Sequence, residues 1–298
     1  MKRPSLIVRA ATAAFRQVPP IRGRGRAEMV FHRWLAGSGL ADLVKVNGYA
    51  LEVSLDDIIG RTIYLNGVWE RENTQVVQRL IRRGRTVFDV GANTGYYTLL
   101  FSSLVGATGR VCAFEPVPST RAILERNIAR SATARNIEVL PVALSDCAGE
   151  VMIHVSGSAN TGASHVVSAD VDDSAYSSGR KRAGIVETLA IRCITADEVW
   201  TGEGRPSVDL VKIDIEGHEL HAIRGMTELL TANDEIAVLV EVRDTFLAAA
   251  GASAEQLFQR MKELRFFSYD YDVRRDIFRR NDAVRSGELI IFTRRELQ

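Results

Sequence analysis

The chain has 298 residues, 46% of them hydrophobic, with 38 Lys or Arg against 37 Asp or Glu, a net +1. That length and apolar content suffice for one sizeable core and exclude overall disorder. The near-neutral total hides an asymmetry: residues 1–33 hold eight Lys or Arg against the single acid Glu28, a net +7, which leaves −6 on the remainder and disfavours nucleic-acid binding by the main body.

The first element is an Arg- and Ala-rich arm. Its apolar stretch LIVRAATAAF is interrupted by Arg9, which leaves it too short for a membrane span and a poor secretory core. The body therefore reads as soluble and cytoplasmic. The arm admits three readings: an organellar presequence, a helix lying on an anionic membrane surface at its inner face, or an amphipathic helix packed on the body. Next, DLVKVNGYALEVS alternates apolar and polar residues on both sides of Asn47-Gly48. This predicts a β-hairpin, because both turn positions need positive φ.

From residue 86 on, short apolar runs at 86–90, 109–115, 136–144, 208–215 and 236–242 alternate with helical patterns at 96–105, 119–131 and 219–230. The alternation predicts right-handed crossovers and a parallel, doubly wound α/β sheet. Residues 156–184, rich in Ser, Gly and Ala, read as a long inserted loop. The segments LRFFSYDYDV and GELIIFTRR read as an antiparallel pair at one sheet edge. Together these readings divide the chain into a basic arm with hairpin, 1–65, and an α/β domain, 66–298. Cys112, Cys147 and Cys193 are odd in number and lack C-x-x-C spacing, so neither a disulfide framework nor a zinc site is expected, and a reducing compartment fits.

The stretch VFDVGANTGYYT places Asp89 near the end of the first core strand and a glycine turn directly after it. In an open parallel sheet, ligands bind beyond the carboxyl ends of the strands, where strand order reverses. Glycines there let the backbone pass close to a ligand. Gly91 and Gly95 are four apart, which argues against the dinucleotide fingerprint, and no P-loop lysine follows. Glu115 ends the next strand, where an acid accepts both hydroxyls of a ribose. An acid where phosphate would be repelled points to a nucleoside with a cationic amino-acid tail, namely S-adenosyl-L-methionine.

In LVKIDIEGHELHAIRGM, period-two alternation sets Lys212, Asp214 and Glu216 on one side of a strand. Charges buried there must be paired. Asp214 or Glu216 is placed to accept a hydroxyl proton, to orient a ligand, or to hold a cation with Glu241, which ends the following strand. His218 and His221, three apart at a helix start, lack a complete metal-ligand set and read first as a hydrogen-bonded pair. His218 remains a rival base with Glu241. His32 and His154 are unassigned, His165 has a weak claim on the substrate, and Trp69 in LNGVWE reads as core, with the acceptor side as the alternative.

Taken in order, NGVWE, VFDVGANTGYYT, VCAFEPVPST, VLPVALSD and VKIDIEGHE with the following RG resemble the FkbM-type S-adenosylmethionine-dependent methyltransferases. The likeness covers roughly residues 66–292. It implies a class I, Rossmann-like sheet of seven strands with the last antiparallel, and O-methylation of a sugar, glycan or secondary-metabolite hydroxyl. It places Asp89, Gly91 and Asn93 at the methionine part of the cofactor, Glu115 at the ribose, and Ala143 with Leu144 beside the adenine. Ala92, Gly95, Pro116 and Asp214 complete the expected cofactor set. The chain departs from the family pattern at IRCITADEV, where Ile194 and Thr195 precede an acid, Asp197, that stands in for the usual one. The competing readings are an RNA methyltransferase, suggested by the basic arm, an NAD-dependent oxidoreductase of similar fold, and a non-catalytic module.

Overall fold

A computed structural model of the protein describes residues 2–17, 24–131, 134–157, 160–167, 184–286 and 288–297. The central strands are β3 (Thr86–Val90), β4 (Arg110–Phe114), β5 (Ile137–Leu140), β10 (Val208–Ile213) and β11 (Ala237–Val242). Every residue of β3 and β10 is buried, as expected of strands covered on both faces. These five run parallel in the order β5-β4-β3-β10-β11. The order reverses between β3 and β10, and the loops that follow them open a crevice at their carboxyl ends.

Beyond β11, the strand β14 (Glu288–Thr293) runs antiparallel between β11 and β12 (Phe267–Asp272). An eighth strand, β13 (Ile277–Arg280), pairs antiparallel with β12. The expected seven strands are therefore present with one addition. It lies in the Arg-rich DVRRDIFRRND segment, where Ile277 and Phe278 are the one adjacent apolar pair.

The expected strand 136–144 is split. After Pro141, which has no N–H to continue a ladder, β6 (Ala143–Leu144) leaves the main sheet and joins β7 (Gly149–Ser156), β8 (His165–Val167) and β9 (Ile185–Ile194) in a second sheet of order β6-β9-β7-β8. Part of the expected 156–184 loop is thus ordered structure, including a 3₁₀ turn at Thr161–Ala163; residues 158–159 and 168–183 lie outside the described set. The expected helix 219–230 is also broken, into Glu219–Arg224 and Thr227–Ala232. Gly225 separates them, so close to Ser145 that a Cβ would lie 1.9 Å from its carbonyl oxygen.

The hairpin forms as expected: β1 (Ala41–Val46) and β2 (Tyr49–Ser54) pair with Val46 opposite Tyr49, and Asn47 and Gly48 take φ of 48° and 94°. Helices α1 (Leu6–Gln17) and α2 (Arg24–Leu35) pack on α3 (Ile58–Asn66). Val8, Phe15 and Leu35 join Leu51, Leu65, Leu99 and Ile291 in one apolar cluster, so the N-terminal elements share a core with one face of the large sheet. Among the described residues no helix is long and apolar enough to cross a membrane.

Candidate active site

Gly91 turns the chain at the end of β3 with φ of 83°, and a Cβ there would lie 2.0 Å from the carbonyl oxygen of Asp214. Only glycine lets the loops after β3 and β10 come this close. Asn93 follows in the left-handed region at φ 49°. Its backbone N–H donates to Glu115 Oε2 at 2.9 Å, while Val117 N–H donates to Glu115 Oε1 at 2.9 Å. Two backbone donors thus fix the Glu115 carboxylate at the tip of β4. Burial pushes its carboxyl up to about 7, against those two hydrogen bonds.

These groups line a first cavity together with Pro116, Ala143, Leu144, Asp214, Glu216 and His218. Its far wall comes from the second sheet and the 3₁₀ turn, including Ile153, Thr161, Gly162 and His165. A second cavity adjoins it, lined by Ala92, Trp69, Glu70, Lys212, Glu241 and Arg243. Gly91, Asn93, Gly162, Asp214 and Glu216 line both, so they form the common wall.

Two expected cofactor residues reach neither cavity. Asp89 is fully buried beneath them, with Oδ2 accepting from Thr98 Oγ1 at 2.6 Å and its Cα paired across the sheet with that of Lys212. Burial raises its carboxyl, opposed by the Lys212 charge. Gly95 serves packing, because a Cβ there would lie 2.6 Å from Leu124 Cδ1.

The charges of β10 are paired, as burial requires. Lys212 Nζ lies 3.0 Å from Asp214 Oδ2 and 4.9 Å from the Tyr97 ring centroid. Burial alone would lower the lysine, but the carboxylates of Asp214, Asp89 and Glu70 overcome it and hold it at about 12. The strand ends at Ile213, earlier than expected, and Glu216 sits in a turn at φ 57°. Glu219 shapes this turn by accepting from Ile215 and Gly217 N–H at 3.3 and 2.9 Å. Asp214 and Glu241 share a hydrogen bond, and Arg243 pairs with Glu241. Burial, then the neighbouring Asp214 charge, pushes Glu241 up to about 9. Asp214 is held low, since Lys212 and the Glu241 hydrogen bond outweigh its burial.

His218 is set apart from these carboxylates. It lines only the first cavity, its Nε2 is 2.9 Å from Ser145 Oγ, and its ring stacks on His221 with centroids 4.5 Å apart. Burial, reinforced by His221, lowers it to about 4 and leaves it neutral. Among the described residues no group of His, Cys, Asp or Glu is arranged to hold a metal ion. Asp197 accepts backbone N–H bonds from Glu228 and Leu229 at 3.0 and 2.8 Å, away from both cavities. Of the 160–166 wall the sequence singled out His165 alone, which lines the first cavity; Thr161, Gly162 and Glu70 have no tell-tale spacing, and Trp69 both packs on the core and faces the second cavity.

Comparison with known proteins gives the arrangement its context. Hexuronic acid methyltransferase AglP of Haloferax volcanii is 27% identical over 190 residues, 63% of this chain and 69% of its own length. Methyltransferase sdnD of Sordaria araneosa is 26% identical over 158 residues, 48% of this chain and 60% of that protein. A crystal structure of methyltransferase FkbM from Methylobacillus flagellatus KT aligns with a TM-score of 0.41 at 13% identity, covering 89% of this chain and 58% of its own. The methyltransferase FkbM domain profile matches residues 89–271. The chain belongs to the FkbM family and is an S-adenosylmethionine-dependent methyltransferase.

Proposed function

We propose that the enzyme methylates a hydroxyl group of a sugar or glycan, held in the second cavity while the cofactor occupies the first. The shared wall of the two cavities carries this reading, because in-line transfer needs donor and acceptor to meet at one short boundary. The residues of the first cavity fit the cofactor. Glu115 offers an acceptor pair for ribose hydroxyls, and Phe114, Val142 and Leu144 supply an apolar slot for a flat base. When bound, the cofactor supplies an electrophilic methyl group on a cationic sulfur.

The second cavity suits a polyol. Glu70, Asp214 and Glu241 offer hydrogen-bond acceptors or donors to hydroxyls, and the Trp69 ring offers a flat apolar surface to sugar C–H groups. The printed substrate of the Haloferax volcanii relative, a hexuronic acid, supports a sugar acceptor. In this reading Asp214, ionised and on the common wall, orients the acceptor hydroxyl and takes its proton as the oxygen gains the methyl group. Glu241, whose carboxyl is raised by burial and by the Asp214 charge, shares the hydrogen bond that fixes Asp214, while Lys212 holds Asp214 low.

The test is a panel of neutral and uronic glycosides incubated with enzyme and S-adenosylmethionine, read by mass spectrometry for one added methylene. Asp214→Asn is expected to lower kcat about 100-fold or more, the usual scale of a positioned general base. Methylation confined to RNA, or an Asp214→Asn variant with unchanged kcat, would overturn the reading.

A further inference from the structure

We propose that the outward face of α2 docks on an anionic lipid bilayer. Arg26, Met29, Val30, Arg33 and Trp34 follow the i, i+3, i+4, i+7, i+8 spacing that places them on one side of a helix. All five are exposed, Met29 by 60%, Val30 by 67% and Trp34 by 56%. The opposite side is the one that packs. Leu35 is buried, the Phe31 ring lies 5.1 Å from that of Phe15, and Glu28 accepts from Asn66 Nδ2 at 2.6 Å. The only acid of α2 is therefore turned toward the body, and the outward face combines two cations with three large apolar side chains.

A helix that already buries one face has no folding reason to carry a second stripe of this kind. The composition is that of an interfacial helix: aliphatic groups enter the acyl boundary, an indole sits at headgroup depth, and guanidinium heads reach lipid phosphates. A patch of the same composition occurs at the start of α1, where Leu6 and Ile7, 85% and 78% exposed, follow Lys2 and Arg3.

Charge decides between occupants. The +7 of residues 1–33 attracts an anionic surface, while the −6 of the remainder favours contact through this end alone. A nucleic acid would extend from this face onto the negative remainder, and Met29 and Val30 gain nothing from phosphates. A second copy meeting face to face would oppose Arg26 and Arg33 to their like charges with no acid to pair them. Both α1 and α2 pack on α3, whose Ile59 lines the second cavity, so the docked face and that cavity are joined through one helix. The proposal does not depend on the acceptor.

The full-length protein is tested by co-sedimentation with vesicles of phosphatidylcholine alone and of phosphatidylcholine with one-third phosphatidylglycerol. It is expected to bind the anionic vesicles, to release as salt rises, and to remain in solution with the neutral ones. The double change Arg26→Glu with Arg33→Glu is expected to weaken binding at least about tenfold, given the contribution of each basic residue near such a surface. The pair Met29→Ser and Trp34→Ser is expected to weaken it as well, with the melting temperature held. Four results would overturn the proposal: absence of vesicle binding, equal binding to neutral vesicles, salt-sensitive RNA binding in place of vesicle binding, or a dimer by light scattering that these same variants dissolve.

Discussion

At the scale of single residues, two buried carboxyls make opposite demands on proton supply. Glu115 stands near pH 7 in the free protein, and ribose hydroxyls donate best to its ionised form. Ligand binding must therefore release a proton at acidic pH. Affinity for S-adenosylhomocysteine is expected to rise roughly tenfold between pH 6 and pH 8 and to level off above about 7; calorimetry in matched buffers measures it, and Glu115→Gln should bind weakly with a flat profile. A flat profile in the parent protein would remove Glu115 from the ribose.

Glu219 is a matter of stability. Its Oε2 lacks a hydrogen-bond partner among the described residues, and burial raises the carboxyl from 4.5 to about 7. A carboxyl raised on folding lends stability that is present below the unfolded pKa and is lost as pH climbs through the folded one. Glu219→Gln keeps the acceptor for Ile215 and Gly217 without the charge. Thermal melts should show little change at pH 4.5 to 5 and a higher melting temperature for the variant at pH 8. Of these residues, Glu115 was legible as an acid at a strand tip. Asp89 looks the same in sequence, yet its side chain bonds to Thr98 of the helix Tyr96–Val105, and only the three-dimensional layering separates a residue that supports the cavity from one that lines it.

At the scale of elements, a carboxylate joins Ile59 in linking the N-terminal part to the active site. Asp57 caps α3, its Oδ2 accepting from Gly60 N–H at 2.9 Å, and its Oδ1 accepts from Thr161 N–H at 3.0 Å and Thr161 Oγ1 at 3.3 Å. The same Thr161 hydroxyl, with one proton shared between the two acceptors, also lies 3.3 Å from Asn93 Oδ1, so cap, 3₁₀ turn and glycine turn form one connected set. Asp57→Ala is expected to cost about 0.5–2 kcal/mol from the cap alone and to raise KM for both substrates. Thr161→Val spares the cap, so it should raise KM with the urea midpoint nearly unchanged. A loss of stability in Asp57→Ala with KM unchanged in both variants would assign Asp57 to the helix only. The parallel strands of the main sheet and the helix at 96–105 were readable because each carries a dense apolar signal. The second sheet was not, since β7 and β9 alternate weakly and their Ser- and Gly-rich surroundings read as loop.

For the whole molecule, the basic segment is a structural participant. Phe15, 6% exposed, sits in the same cluster as Leu99 and Ile291. Phe15→Ala is expected to destabilise by about 3 kcal/mol, measured as a fall in the urea midpoint at constant slope. A change under about 0.5 kcal/mol would make α1 a loosely held appendage. The charge asymmetry was visible from composition, but whether the arm joins the core depends on contacts between residues far apart in the chain.

The order of the large sheet also bears on synthesis. β14 enters between β11 and β12, both made earlier, and so divides neighbours already available to each other. A ribosome-bound chain must therefore keep that gap open, or reopen it, until residues 288–293 leave the exit tunnel. Because β11 delivers Glu241, the acceptor chamber matures late, and nascent chains stalled before residue 288 should recruit chaperones while lacking activity.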